Sequence, residues 1–350
     1  MIYLIVLFLS AASVWIMHPY LVRFAFGHNI VDKPNARKLN RTPVPVLGGV
    51  GVFFGFMIAL CSIAVIKDFS LPVTYIVVLL MMFGMGLTDD LFDLRPRAKF
   101  AIQILAVLLI YFVCELRIDN LYGILGIYEL PMAVSLPLTL IASVGLINSL
   151  NLIDGVDGLS SGYSIVAAIL FAVWAYVQGG CVSLLMSCAL IGALVPFFIY
   201  NVYGAQNKMF IGDAGSHFLG AVFCIIALNI INAPSADKEV DVALIPFVLA
   251  VLSHPVFDTL RVMIMRICRG YSPFKADKTH LHHALVGRGL THLATTLIII
   301  SFNLLVVAVW GICYMCGMSA TVQLLMVVMM SVLCIVLPYP LLARGKNVTC

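Results

Sequence analysis

Five aspartates stand beside long apolar segments of the chain, where charged side chains are costly. They are distributed over three loops between those segments: Asp89, Asp90, Asp154, Asp157 and Asp213. A charged side chain at the centre of a membrane helix costs about 2.5–3.5 kcal/mol, so acids placed this close to lipid are candidates for function. The glycines among them predict loops or broken helix ends rather than continuous helix.

These acids predict a bound cation if their loops meet on one side of a membrane. Two carboxylates about 5 Å apart repel by roughly 3 kcal/mol at an effective dielectric near 20, so a cluster of them requires a counter-ion. An all-oxygen ligand set favours Mg²⁺, with Mn²⁺ as the alternative ion. Mg²⁺ typically takes one or two carboxylates and completes its shell with water and substrate phosphate. The acids therefore predict magnesium-dependent phosphoryl chemistry, with a lipid acceptor that enters between helices.

Each loop also has an ordinary structural interpretation. The acids around Asp89 could be solvated charges at a helix end, paired with Lys99 and its Arg neighbours. Asp-Gly pairs, as at Asp154 and Asp157, are common in turns. The Gly-Asp-x-Gly around Asp213 is weak evidence alone, although the amides beside it could present a phosphate or carboxylate. The functional hypothesis depends on the conjunction of the loops.

The composition excludes an ordinary soluble globule. The chain has 350 residues, of which 63% are hydrophobic and 10% charged, whereas soluble domains have roughly 25% charged residues. A helix needs about 20 apolar residues to span a bilayer. The sequence predicts one all-α membrane domain, residues 1–350, with eleven spans at 2–22, 46–66, 71–88, 99–116, 132–150, 160–178, 181–200, 215–232, 242–264, 293–313 and 319–341. Residues 116–130 are too short to span and predict a hairpin or short helix at the opposite interface.

The distribution of Lys and Arg predicts the orientation of these spans. With the N terminus outside, all but three of the 20 Lys and Arg residues fall on one face, the exceptions being Lys67, Arg117 and Lys238. The C terminus and all five aspartates then lie at the cytoplasmic face. The first apolar segment lacks a basic region before it, so we expect a retained span rather than a cleaved signal.

Two further cytoplasmic loops carry groups suited to phosphate. The first loop is basic, includes Arg41, and is followed by glycines that permit close helix packing or the approach of backbone to a ligand. The fifth loop carries two arginines and three histidines: Arg266, Arg269, His280, His282 and His283. The histidines could bind a metal, donate to phosphate or cap the loop, and no nearby Cys or fourth ligand supports zinc.

Together these motifs resemble the polyprenyl-phosphate N-acetylhexosamine-1-phosphate transferases. The resemblance covers nearly the whole chain and rests on four motifs in family order: Asp89-Asp90, Asn148 to Leu159, Phe210 to Ser216, and His280 to His283. The His-Leu-His-His form is closer to the WecA and TarO branch than to the MraY branch, which carries three consecutive histidines. Asn40 departs from this branch, in which a His is expected.

The resemblance implies transfer of N-acetylglucosamine 1-phosphate from UDP-N-acetylglucosamine to undecaprenyl phosphate, with release of UMP. The lipid phosphate could attack directly or through an aspartyl intermediate, and direct attack is favoured because a phosphate is already half ionised near neutral pH. It implies that Asp213 binds the metal and that Asp89 acts as a base for the lipid phosphate, with Asp90 orienting the metal or Lys99. Asp154 and Asp157 would bind the uridine diphosphate end or assist the metal, with Asp154 as the second metal ligand. The implied substrate-binding residues are Lys99, Asn148, Asn151, Arg41, Arg266, Arg269, His280, His282 and His283.

The resemblance also implies partners and location. The partners are a UDP-N-acetylhexosamine, undecaprenyl phosphate and the lipid bilayer; no nucleic acid is expected, and a homodimer is left open. The implied location is the bacterial cytoplasmic membrane, where the product would prime lipopolysaccharide, teichoic acid or capsule synthesis. One alternative is another UDP-sugar donor, of the N-acetylated fucosamine, quinovosamine or galactosamine type. Another is a secondary transporter, whose sites should lie near the midplane on discontinuous helices.

Overall fold

A computed structural model of the chain describes residues 1–32, 43–67, 72–204, 206–233, 243–273 and 279–339. These residues are mostly helical, as predicted. Two compact units are present, one made of Met1–Ile118 with Ala133–Ala233, the other of Asp119–Met132 with the described part of Pro234–Cys350. The assignment of residues 1–350 to one functional domain stays a prediction. Arg41 lies outside the described residues, so its role in substrate binding also stays a prediction.

In its described residues, the first unit has eight long helices and one short strand pair. Its helices are α1 (Ile2–Gly27), α2 (Gly48–Lys67), α3 (Val73–Phe92), α4 (Pro96–Val113), α5 (Met132–Leu152), α6 (Leu159–Gln178), α7 (Cys181–Tyr203) and α8 (Gly212–Ile231). Between α1 and α2, strands β1 (Val31–Asp32) and β2 (Val44–Pro45) pair antiparallel. Helix α1 packs against α2 and α7, α7 packs against α6, and α3 packs against α8. Helix α8 is buried along nearly its whole length, so the other helices surround it.

In its described residues, the second unit has a strand hairpin and five helices. Strands β3 (Asn120–Ile124) and β4 (Ile127–Glu129) pair antiparallel, which confirms the hairpin expected within residues 116–130; its position at an interface stays a prediction. The helices are α9 (Leu244–Val251), α10 (Ser253–Cys268), α11 (Leu281–Val286), α12 (His292–Met315) and α13 (Ala320–Val336). Helices α9 and α10 pack against α12 and α13.

Each of the eleven predicted spans contains a helix, but not all of these helices have the length of a span. Eight described helices are long and apolar enough to cross a membrane, and α9 with α10 make a ninth if the bent pair counts as one span. Helix α13 is shorter, with 17 residues, whereas α2 has the length of a span, 20 residues. The chain therefore has the character of a multi-pass membrane protein, whereas the number of eleven spans and the outside N terminus stay predictions.

The predicted span 242–264 is broken, with a bend of 74° between α9 and α10. Pro255 has no N–H to donate to the carbonyl of Val251, so the helical ladder is interrupted there. The side-chain amide of Asn303, on α12, donates to the oxygens of Ala250 (3.0 Å) and Val251 (3.2 Å) and to Ser253 Oγ (2.8 Å). A polar side chain thus satisfies backbone that a break in a membrane helix would leave unpaired.

The N-terminal end of α8 lies very close to α2 and α3 because glycines line the contact. A Cβ atom at Gly86 of α3 would overlap the backbone of Asp213, and a Cβ atom at Gly49 of α2 would overlap the backbone of Gly215. Small residues allow helix backbones to approach in this way. The close packing that the glycines after the first loop predicted is therefore confirmed for Gly49, and it fixes the height at which α8 begins.

Main-chain hydrogen bonds hold the segment that leads into α8. The N–H of Phe210 donates to the carbonyl of Pro45 in β2 (2.8 Å). In return, the N–H groups of Gly48 and Gly49 donate to the carbonyls of Phe210 (2.9 Å) and Ile211 (2.8 Å). The first turn of α8 is thus positioned by the end of the first loop as well as by its helix neighbours.

Candidate functional site

Asp213 occupies the first turn of α8 and keeps 37% of its side chain exposed. The side-chain amide of Asn151, from the loop after α5, donates to Asp213 Oδ1 (2.7 Å) and to Ser216 Oγ (2.8 Å). The third and fourth loops therefore meet, as the sequence predicted. An exposed carboxylate whose orientation is fixed by an amide is well suited to contact a ligand.

Asp90 closes the N-terminal end of α8. Its Oδ1 and Oδ2 atoms accept hydrogen bonds from the N–H groups of Asp213 and Ala214, each 2.9 Å long. Gly212 adopts a positive φ of 69°, and a Cβ there would lie only 2.7 Å from Asp90 Oδ2. A carboxylate at a helix N-terminus satisfies free amides and interacts favourably with the helix dipole. Of the two groups that these amides could present, a phosphate or a carboxylate, the structure shows a carboxylate of the protein itself, that of Asp90.

Lys99, at the start of α4, joins the carboxylates of the second and fourth loops. Its ammonium forms an ion pair with Asp89 and lies 3.8 Å from Asp213 Oδ2. Asp89 is buried, and its other oxygen accepts from the N–H of Leu94 (2.8 Å). The residue that orients Lys99 is therefore Asp89, whereas the described contacts of Asp90 are with α8. A quarter of the Lys99 side chain remains exposed (25%), so the ammonium can reach a ligand.

The third loop carries its two aspartates in different environments. Asp157 forms an ion pair with Lys208 of the fourth loop (2.6 Å). Burial and, to a smaller extent, the neighbouring carboxylates of Asp213, Asp90 and Asp157 together raise the pKa of the Asp154 carboxyl to about 8. A carboxyl among like charges binds a proton or a metal ion to remove the repulsion.

Asp154 should make the stability of the cation-free protein depend on pH. Its pKa lies near 3.9 in an unfolded chain and at about 8 in the folded protein, so the folded state holds a proton that the unfolded state releases. This stabilisation is complete below about pH 4 and is lost as the pH rises through about 8. We expect the melting temperature in EDTA to fall between pH 5 and 8, and to fall less in Asp154→Asn. Unfolding is followed by intrinsic fluorescence. If the melting temperature falls equally with pH in wild type and Asp154→Asn, this assignment is contradicted.

Two asparagines near the acids have structural partners. Asn148 pairs reciprocally with Gln103 of α4, donating through Nδ2 (2.8 Å) and accepting through Oδ1 (3.3 Å). This contact joins α4 to α5. It engages the side-chain amide of Asn148, which the resemblance had assigned to substrate binding. Asn201, at the end of α7, is buried and was not predicted; it accepts from Gly158 N–H (2.6 Å) and donates to the Met209 carbonyl (2.8 Å). An amide at the end of an apolar segment was its only signal in the sequence.

The predicted residues of the fifth loop belong to the second unit. His280 and His282 are buried, while His283 is half-buried. Burial lowers the pKa of the His282 imidazole well below its ordinary value, and the neighbouring His283 lowers it further, so the ring is neutral. Arg266 is buried and donates to the carbonyl of Pro273 (2.6 Å), whereas Arg269 is exposed at the end of α10.

The acids of the first unit fit a hard cation with a small set of protein ligands. Within the described ranges, no three His, Cys, Asp or Glu side chains converge on a point that could hold a metal. Asp89 and Asp157 are paired with lysines, and Asp90 is bound to α8. Of the five predicted acids, Asp154 and Asp213 are the most available to an ion, Asp213 being 37% exposed although it lies 3.8 Å from Lys99, and one or two carboxylates are the usual number for Mg²⁺.

Relatives match most of the chain. Residues 72–231 match glycosyl transferase family 4. A probable undecaprenyl-phosphate N-acetylglucosaminyl 1-phosphate transferase of Bacillus subtilis (strain 168) is 30% identical over 301 residues, which cover 85% of this chain and 82% of that protein. The undecaprenyl-phosphate alpha-N-acetylglucosaminyl 1-phosphate transferase of Escherichia coli (strain K12) is 31% identical over 270 residues, 75% of this chain and 70% of that protein. The protein of the same name from Salmonella typhi is 30% identical over 277 residues, 77% and 72% of the two chains.

Proposed function

Because the chain belongs to glycosyl transferase family 4, we propose that it transfers N-acetylglucosamine 1-phosphate from UDP-N-acetylglucosamine to undecaprenyl phosphate and releases UMP. The activity is the one for which its relatives are named, and they match it over most of its length. One structural observation carries the proposal: Asp213 of the fourth loop meets Asp89 and Lys99 of the second loop. The relatives do not favour a secondary transporter.

The reaction exchanges one phosphoanhydride for another. An oxygen of the lipid phosphate forms a bond to the β-phosphorus of the nucleotide sugar. The bond from this phosphorus to the bridging oxygen breaks, and UMP leaves with the electron pair. A phosphate monoester is largely ionised near neutral pH, so the attack does not need a strong base. The protein therefore contributes mainly positioning and stabilisation of charge.

Lys99 is the group that binds a phosphate oxygen in this proposal. Its ammonium is partly exposed, and Asp89 holds it beside Asp213. A lysine is a compact positive charge that suits a transferring phosphoryl group. One carboxylate oxygen of Asp89 accepts from Lys99 and the other from the N–H of Leu94. Because both oxygens are engaged, these contacts favour a role for Asp89 in positioning Lys99 over a role as the base for the lipid phosphate.

Asp213 and Asp154 would hold Mg²⁺, or Mn²⁺ in its place, with substrate phosphate among the remaining ligands. When bound, the ion neutralises charge on the diphosphate and makes the phosphorus easier to attack. Asn151 holds the Asp213 carboxylate through Oδ1. Asp157, paired with Lys208, would line the nucleotide end of the site.

The histidines and arginines of the fifth loop would bind the diphosphate and sugar of the donor: His280, His282, His283, Arg266 and Arg269. Arg41 of the first loop is assigned to the same diphosphate. Asn148 is better explained as a link between α4 and α5 through Gln103. The protein would act in the cytoplasmic membrane of a bacterium, with its site at the cytoplasmic face, and its product would be the first lipid-linked intermediate of an envelope polysaccharide.

An assay of UMP release tests this function and its ion requirement. Purified protein is incubated with Mg²⁺, undecaprenyl phosphate and a panel of UDP-sugars. We expect UMP with UDP-N-acetylglucosamine, its loss in EDTA and its return with added Mg²⁺. Faster release with another UDP-N-acetylhexosamine would change the assigned donor, and no UMP with any donor would reject the transferase function.

A further inference from the structure

A buried carboxylate organises the start of the histidine motif in the second unit. Asp258 on α10 is fully buried, and its Oδ2 accepts from Nδ1–H of His280 (2.8 Å). Arg261, one turn further along α10, donates through Nη2 to Asp258 Oδ1 (2.7 Å). The N–H of Leu281 also points at the carboxylate, 3.3 Å from Oδ2. A buried charge is stable only when it is paired and hydrogen-bonded in this way.

Two side chains also fix the carbonyl of Thr279, which precedes the motif. Nη2 of Arg261 donates to this oxygen (2.7 Å), and so does the hydroxyl of Tyr339, just beyond α13 (2.9 Å). The guanidinium of Arg261 lies over the ring of Tyr339, 4.5 Å from its centroid. We call Asp258, Arg261 and Tyr339 the histidine clamp. It holds three consecutive residues, from Thr279 to Leu281, against α10 and the end of α13.

The clamp determines which atom of His280 is left for a ligand. Because Nδ1–H is donated to Asp258, the plane of the ring is fixed, and Nε2 carries a hydrogen to donate only when the ring is doubly protonated. The other nitrogen, Nε2, makes no hydrogen bond to any described residue although it is buried. A buried polar atom of this kind normally acquires a partner, from water or from a ligand.

We propose that the histidine clamp is a positioning device that holds His280 so that its doubly protonated ring donates Nε2–H to a phosphate oxygen of the nucleotide sugar. The proposal rests on the proposed function, which assigns the histidine motif to the donor substrate. Asp258, Arg261 and Tyr339 touch no substrate in this scheme; they act through His280. Their loss should therefore weaken donor binding and leave the lipid acceptor unaffected.

Tyr339→Phe is the sharpest test because it removes one hydroxyl and keeps the ring under Arg261. Loss of a single hydrogen bond should raise the KM for UDP-N-acetylglucosamine about fivefold. Arg261→Lys keeps the charge but loses the planar fork, and should raise this KM about tenfold. The KM for undecaprenyl phosphate should stay within about twofold of wild type in both variants. Tyr128→Phe is the matched control, because this hydroxyl belongs to an exposed residue of the β3–β4 hairpin.

Hydrogen exchange of the amides in α11 gives a readout that does not depend on turnover. We expect faster exchange in Tyr339→Phe and Arg261→Lys than in wild type and Tyr128→Phe. An unchanged donor KM with unchanged exchange overturns the proposal, and so does an equal rise in both KM values. If wild-type protein releases no UMP, the proposed function is rejected, but the role of the clamp can still be tested. The affinity for UDP-N-acetylglucosamine is then measured by calorimetry in place of KM. Equal affinities of wild type and Tyr339→Phe would reject the positioning role of the clamp.

Discussion

Asp213→Asn is expected to reduce the rate of UMP release by at least about 10²-fold, the scale on which loss of one preorganised charge-stabilising group acts. The asparagine keeps the size of the side chain and can still accept from Asn151. It removes the charge that faces Lys99 and that would bind the cation. Excess Mg²⁺ should not restore the rate, because the missing ligand charge is part of the protein. The measurement is kcat at saturating donor and acceptor.

Asp93→Asn is the matched control for this substitution. Asp93 is exposed at the C-terminal end of α3 and adopts a positive φ of 53°, a conformation that Asn also tolerates. The substitution removes one carboxylate from the same face without removing a contact of the site. It should therefore leave kcat within about twofold of wild type. Activity of Asp213→Asn above a tenth of wild type would remove this residue as the main metal ligand.

Gly86→Ala is expected to lower the melting temperature markedly and to abolish most transfer. The added Cβ would overlap the backbone of Asp213, and backbone cannot move aside as a flexible side chain can. Overpacking of a tight contact costs typically 1–3 kcal/mol. Because α8 must shift to make room, Asp213 would also move relative to Lys99. The two effects are measured by thermal unfolding in detergent and by UMP release.

Gly84→Ala controls for the loss of glycine from the same helix. A Cβ at Gly84 meets nothing within 4 Å, and alanine has a helix propensity about 1 kcal/mol better than glycine. The melting temperature of this variant should equal or exceed that of wild type, with unchanged activity. If Gly86→Ala behaves like Gly84→Ala, the close contact between α3 and α8 does not position the site.

Much of the helical architecture and the meeting of the acidic loops could be predicted from the sequence. Long apolar segments have few alternatives to helix in lipid, and positive charge segregated to one side of them indicated that Asp90, Asn151 and Asp213 share a face. The contact of Asp90 and Asn151 with Asp213 confirms that these three meet. The hairpin near residue 124 was one of the two structures predicted for its segment, because that segment is too short to span a bilayer.

The partners of individual side chains could not be predicted, because they depend on contacts between distant segments. Nothing local to Asp90 indicates that it binds amides 123 positions later. The clamp residue Asp258 and the linking residue Asn201 were missed for the same reason, since their types occur in ordinary turns and helix ends. The break before Ser253 had a local signal in Pro255, but the rule that a span needs about 20 apolar residues does not detect it.

The occupied amides at the start of α8 have a consequence for how the donor is attracted. In many phosphate-binding proteins a free helix N-terminus supplies neutral donors whose effect is short-ranged and largely independent of salt. Here Asp90 takes two of those donors, so in the proposed function the diphosphate is attracted mainly by full charges, those of Lys99 and of the proposed cation. Attraction between full charges weakens with ionic strength, since the Debye length shrinks from about 10 Å at 0.1 M to about 3 Å at 1 M. Donor capture by this protein should therefore be salt-sensitive.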